Sequence, residues 1–153
     1  MRALTIHQPW AWAIVHGPKR IENRSWSTNV RGWFAIHAGK STQSYATHHD
    51  VVSQLIGRPL PSVSDLPFGA IVGVARLVGC SRIESIRDPW AFGPWCWQLD
   101  DVHPLERPLP CKGLQGWWSV PLAEVCALLP IDLARALRSA GRDVQPPLDF
   151  CRT

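Results

Sequence analysis

The segment from Phe68 to Cys80 constrains the fold more than any other part of the chain. Its centre, Ala70-Ile71-Val72-Gly73-Val74-Ala75-Arg76-Leu77-Val78, is apolar at odd and even positions alike. Successive side chains of a strand point to opposite faces, so a run of this kind is buried on both, as inside a barrel or under a helix. Shorter strands are expected at Ala3 to His7, Arg20 to Trp26, Trp33 to Ala38, Trp95 to Asp100 and Trp117 to Val120. Pro9 opens and Gly17 closes a two-turn helix over Trp10 to His16. Ser41 caps a second helix, Thr42 to Ile56, stopped by Gly57, with Tyr45, Val52, Leu55 and Ile56 on one stripe. Pro121 to Leu129 and Ile131 to Ala140 are expected to be helical. Asp88 to Pro94 and the Pro-rich Pro104 to Gly116 are taken as a loop and a connector, and the last dozen residues as a fraying end. Unequally spaced short strands with a few helices make this an α+β domain built on a mixed, barrel-like sheet. A doubly wound fold needs a regular βαβ alternation and a Gly-rich phosphate loop, and the chain has neither.

A length of 153 residues, 46% of them hydrophobic and 18% charged, supplies one core and excludes a disordered chain. The longest apolar runs fall well short of the ~20 residues that span a bilayer, and the N-terminus lacks a secretory pattern. Cys80, Cys96, Cys111, Cys126 and Cys151 are odd in number, with no C-x-x-C pair and no zinc-finger histidines. These features point to a cytoplasmic protein without a disulfide framework, metal site or cofactor.

Charge is distributed unevenly. The first forty residues carry six Lys or Arg against Glu22 alone, a balance of +5, while the whole chain nets +4. The densest polar stretch is Gly17-Pro18-Lys19-Arg20-Ile21-Glu22-Asn23-Arg24-Ser25-Trp26, followed by Arg31-Gly32-Trp33 and Ile36-His37-Ala38-Gly39-Lys40. Strand alternation puts Glu22, Arg24 and Trp26 on one face. Positive neighbours favour the charged carboxylate of Glu22, which can accept from an exocyclic amino group, while Lys19, Arg24, Arg31 and Lys40 suit phosphate. The same cluster also reads as a solvated ladder of salt bridges.

The strings Leu4-Thr5-Ile6-His7-Gln8-Pro9-Trp10-Ala11, Gly17-x-Lys19-x-x-Glu22-x-Arg24, Arg31-Gly32 and Ile36-His37-Ala38 resemble the ASCH domain of the PUA-like superfamily, whose signature is G-x-K-x-x-E-x-R. Gly69 to Gly73, Trp95 to Leu99 and Lys112 to Gly116 look like later parts of the same domain. The resemblance covers about residues 3–120, so we divide the chain into a domain over 1–120 and a helical extension over 121–153 packed on it. It implies a small mixed β-barrel flanked by short helices, with a cleft lined by Lys19, Glu22 and Arg24, and recognition of RNA or a modified nucleotide. Gln8 and Trp10 join as cleft-wall candidates at a helix N-terminus with free N–H groups, although Trp10 equally serves as a staple for that helix. Trp26 stacks a base or fills the core. His37 reaches the cleft or serves as a satisfied structural histidine. Trp90, in its Pro- and Gly-rich loop, is the expected exposed stacking platform. Some ASCH relatives resemble amidohydrolases acting on N4-acylated cytidine, in which case Lys19 and Glu22 are the catalytic pair; those relatives carry Thr where this chain has Glu22. Ribonuclease activity and a transcription-coregulator type of interaction are further alternatives within the family.

Overall fold

A computed structural model of the chain describes residues 1–141. The order of elements is β1 (Arg2–Ile6), α1 (Trp10–Val15), β2 (Ile21–Arg24), β3 (Gly32–Ala38), α2 (Gln43–Ile56), β4 (Ala70–Arg82), β5 (Trp95–Pro110), β6 (Trp117–Ser119), α3 (Leu122–Cys126) and α4 (Ile131–Ala140). The expected fraying of the last dozen residues and Cys151 lie outside the described residues. The strands form one mixed sheet in the order β2-β5-β4-β3-β1-β6, in which β1 and β3 are parallel and the other pairs antiparallel. Among the described residues no helix is long and apolar enough to cross a membrane.

The double-sided strand lies at the middle of this sheet. Val72, Ala75 and Leu77 of β4 join one core with Leu4, Phe34, Ile36 and Trp97. Ile71 and Val74 join a second, with Ala3, Ala35 and the helical residues Val125, Cys126, Ala134 and Leu137. A strict alternation would not split the residues this way; the register shifts between Ile71 and Gly73 and between Val74 and Arg76 do. Both faces of β4 are therefore covered, one by α1 and the inner aromatic residues, the other by α3 and α4.

The sheet curls but does not close into the expected barrel. Trp97 of β5 and Trp117 of β6 stack at 5.4 Å with 16° between their planes, although three strands separate β5 from β6 in the sheet. Strands at ~4.8 Å spacing would hold these rings far apart in a flat sheet. The edges β2 and β6 are not hydrogen-bonded to each other. With four and three residues, they are too short to form a ladder across the gap. Side chains bridge it instead: the Trp97 indole donates to the Trp26 carbonyl at 3.2 Å, and Trp26 meets Trp97 edge-on at 4.6 Å.

β5 continues through Pro104, Pro108 and Pro110, where the proline content suggests a connector. β2 pairs only with Trp95–Gln98, and beyond it the outer edge of β5 meets isolated backbone contacts, such as the Glu106 N–H on the Leu128 carbonyl at 2.8 Å, rather than a strand, so a missing N–H there breaks no ladder. Helix α1, six residues long, depends on tertiary support. The Gln8 Oε1 accepts the Trp12 N–H at 2.9 Å, and Ala11, Ala13, Ile14 and Val15 are buried. Gly17 ends it because a Cβ there would stand 2.7 Å from the Ala13 carbonyl oxygen. That close turn also lets the Lys19 N–H reach the same oxygen at 3.1 Å, which fixes where the lysine enters the fold.

Candidate functional site

β2 carries the charged residues as its alternation dictates. Ile21 points into the core beneath α1 and α2, and Glu22 and Arg24 share the opposite face. The Lys19 ammonium donates to the Ile21 carbonyl and to Glu22 Oε2, the latter at 3.1 Å. On the other side Arg24 Nε stands 3.1 Å from Glu22 Oε1, close enough for an ion pair but without hydrogen-bond alignment. Arg24 Nη2 donates to the Thr5 carbonyl at 2.8 Å, and the guanidinium lies 5.8 Å from the Trp97 ring centroid. Exposure rises along this row, from 1% for the Lys19 side chain to 9% for Glu22 and 21% for Arg24. Burial pushes the Lys19 pKa down, and the neighbouring Glu22 carboxylate opposes that shift. The row thus holds one carboxylate between two cations, with its buried end sealed and its Arg end open.

Glu22 and Arg24 form one wall of a cleft of about 1170 Å³. The ends of β1 and β3 supply Thr5, His7, His37 and Lys40, and the segment from Pro110 to Gly116 supplies the opposite wall. His37 is buried and ties that wall down: Nε2 lies 3.1 Å from the Cys111 carbonyl and Nδ1 lies 3.2 Å from Thr5 Oγ1, whose hydroxyl donates to the Leu114 carbonyl at 2.9 Å. A carbonyl only accepts, so Nε2 carries a proton. Burial lowers the His37 pKa, with the Cys111 carbonyl acting against it and His7 with it. Gly113 allows the close approach, since a Cβ would fall 2.3 Å from His37 Cε1. His7, Lys40 and Lys112 are exposed around the mouth. A second pocket of about 450 Å³ adjoins the cleft, with Trp10, Glu22 and Asn23 common to both.

The structure brings Trp10, Glu22, Arg24, Trp26, His37 and Lys40 together on the main cleft and separates them from four other expected residues. Lys19 is buried and faces the second pocket, so it does not hold a phosphate in the open cleft. Gln8 is buried as well: its side chain donates to the Pro67 carbonyl at 3.0 Å and accepts from Trp12, which consumes one of the helix N–H groups expected to be free. Arg31 is exposed away from the cleft, with its guanidinium on the carbonyls of Thr28 and Val30. Trp90 is no platform; it is 4% exposed and packs with Ala13, Ile21 and Val52. The exposed aromatic of that loop is Phe92. Thr5, Lys112 and the rest of the 110–116 wall also line the cleft; the sequence assigns Lys112 to Gly116 to the same domain but carries no local sign that the segment faces β2. Among the described residues no cluster of His, Cys, Asp and Glu gathers in a metal-holding group.

The model of the ASCH domain family matches residues 4–117. The chain belongs to the ASCH domain family. It is 36% identical over 126 residues to human activating signal cointegrator 1, an alignment covering 76% of this chain and 22% of that protein. The mouse protein of the same name is 34% identical over 88 residues, covering 56% of this chain and 15% of the relative. This ASCH chain therefore spans about a fifth of the length of these curated relatives. Among solved structures, the crystal structure of ASCH from Zymomonas mobilis superposes with a TM-score of 0.52 at 15% identity, covering 80% of this chain and 89% of the other. At that identity the likeness concerns the fold, an α+β domain on a mixed sheet. The family match ends at β6, ahead of α3 and α4, which pack on the outer face of the ASCH sheet.

Proposed function

We propose that this ASCH domain binds single-stranded nucleic acid, RNA or a strand carrying a modified nucleotide, in the main cleft. The observation that carries this reading is the carboxylate of Glu22, held between Lys19 and Arg24 on the wall of a cleft whose rim bears Lys40 and Lys112. A carboxylate pinned in this way presents lone pairs in fixed directions to the N–H groups of a base edge. Arg24, one-fifth exposed, and the rim lysines suit phosphate oxygens, and the cleft volume of about 1170 Å³ lies above the ~300–1,000 Å³ of pockets for single small ligands. Fluorescence anisotropy with a labelled short single-stranded RNA tests this. Affinity should fall steeply with salt, and Arg24→Ala or Lys40→Ala should each weaken binding and reduce the salt slope by about one. Absence of binding at low salt, or affinity and slope unchanged in both variants, rejects the reading.

One observation favours hydrolysis of an N4-acylated cytidine as a second reading: burial lowers the pKa of Lys19, as a lysine base requires. Incubation with N4-acetylcytidine and detection of released cytidine decides it. Turnover by the parent that is lost in Lys19→Met while the variant keeps the parent's circular dichroism spectrum would establish the enzyme, and no turnover by the parent would retire it.

A further inference from the structure

The second pocket lies between α1, α2 and the loop ahead of β5, with Lys19 and Glu22 at its polar end and Trp10, His48, Val51 and Phe92 around it. Its apolar rim is unusual for exposed surface. Phe92 is 54% exposed and Val51 37% exposed, yet neither lies on a loose segment. Asn23 fastens the loop from below: its Oδ1 accepts the N–H groups of Phe92 at 2.9 Å and Gly93 at 3.0 Å, and its Nδ2 donates to the Trp90 carbonyl at 2.9 Å. With Trp90 buried as the loop's anchor, Phe92 is held out over the pocket. Trp10 lies 6.2 Å from Phe92 and 5.2 Å from His48, both tilted, so three rings form an arc around the opening.

The polar end has definite hydrogen-bonding capacity. Lys19 has three N–H donors, of which the Ile21 carbonyl and Glu22 take two. Glu22 has about four lone-pair sites; Lys19 occupies one on Oε2, and Arg24 faces Oε1 as an ion pair without taking one up. A donor and an acceptor therefore stand side by side. An apolar peptide side chain would leave both unpaired, an anion would oppose Glu22, and a cation would oppose Lys19. A neutral planar ring with an acceptor next to a donor on its edge satisfies both, and each of the common nucleobases offers such an edge.

We infer that this pocket takes one nucleobase of the bound strand, its ring packed beneath Phe92 and against Trp10, its edge on Lys19 and Glu22, and its phosphates in the main cleft. This deepens the nucleic-acid reading above and rests on it. The two cavities adjoin, with Trp10, Glu22 and Asn23 in both linings, so a nucleotide lying over these residues can place its base in one and its backbone in the other. The base is neutral, so its stacking and edge contacts release no counterions, whereas the phosphate contacts are ionic and sensitive to salt.

The test uses the full chain, a short single-stranded RNA of mixed sequence, and the same strand with one abasic site moved along it. Stacking on an aromatic side chain corresponds to about a tenfold change in affinity per base. Phe92→Ala should weaken the intact strand about tenfold without altering the salt slope. One abasic position should produce a similar loss in the parent protein and little further loss in Phe92→Ala. Val51→Trp, placed on the exposed side of α2 to fill the pocket, should reproduce the effect of Phe92→Ala. If Arg24→Ala and Lys40→Ala weaken binding while Phe92→Ala, Val51→Trp and every abasic position leave it unchanged, the base pocket is wrong and the cleft survives. If no strand binds at low salt, the nucleic-acid reading fails and the base pocket with it.

Discussion

The two walls of the main cleft are built on opposite physical terms. The β2 wall carries charge: Glu22 and Arg24 share one face of the strand, and Lys19, buried behind it, braces the Glu22 carboxylate. The facing wall, from Pro110 to Gly116, is held through its backbone, with the carbonyls of Cys111 and Leu114 tied to His37 and Thr5. The first wall is rigid because breaking its ion row would leave a buried charge alone. The second is rigid only while a glycine lets the chain come close to a neutral, buried histidine. A cleft made this way keeps its charged wall fixed and has a facing wall that responds to small changes in packing or protonation.

Lys19→Met should break the charged wall with the largest effect. It removes one partner of a buried pair and leaves Glu22 with Arg24 alone, which should destabilise the domain by about 3–5 kcal/mol in urea or thermal unfolding. A loss below about 1 kcal/mol would show that the row is solvated, as an exposed ladder would be. Gly113→Ala should disturb the other wall more gently. The added methyl group meets the His37 ring, so a cost of about 1–3 kcal/mol is expected, together with changed NMR shifts of His37 and Thr5 but not of the Arg24 side chain. Unchanged stability would mean that the 110–116 segment is not pressed against His37.

Acidification should have the smallest effect, and it should act on the backbone-held wall. The unfolded chain titrates His37 near the usual ~6.5, and the folded protein holds its pKa lower. The unfolded state therefore binds the proton first: the stability linked to a neutral His37 is complete above about pH 6.5 and is lost as pH falls toward the folded pKa. His16 shifts in the same direction through burial and Arg58. The melting temperature should decline as pH falls below about 6.5, and His37→Gln should remove part of the decline, leaving the share of His16. A pH profile identical in His37→Gln would count against this role.

Particular residues show what was legible in the sequence and what was not. The double-sided apolar run of β4 announced a strand covered on both faces, and it lies at the centre of the sheet with a core on each side. β5 was legible only to Asp100, because proline is a breaker wherever a partner strand waits on both sides, and no local pattern reveals that the pairing with β2 ends at Gln98 of β5. Open closure between β2 and β6 was equally hidden, since it depends on strand lengths that tertiary packing trims. Within the site, Glu22, Arg24 and His37 fell where spacing suggested, on or beside the cleft. Trp90, expected as the exposed platform, is buried, and Phe92 is the exposed ring. Both are aromatic residues in one short loop, and the choice of which turns inward is made by Asn23, sixty-odd positions away in the chain.

The order of charges on β2, the family membership and the double-sided strand were all contained in local spacing, because periodicity and short motifs act over a few residues. Depth was not. Whether a lysine reaches solvent or is sealed at 1% exposure, whether a glutamine lines a cleft or caps a helix, and which ring of a loop is offered to a ligand depend on which distant elements pack over them. Burial is a sum over contacts remote in sequence, and in this protein it turned Lys19 from a phosphate contact into the floor of a second pocket.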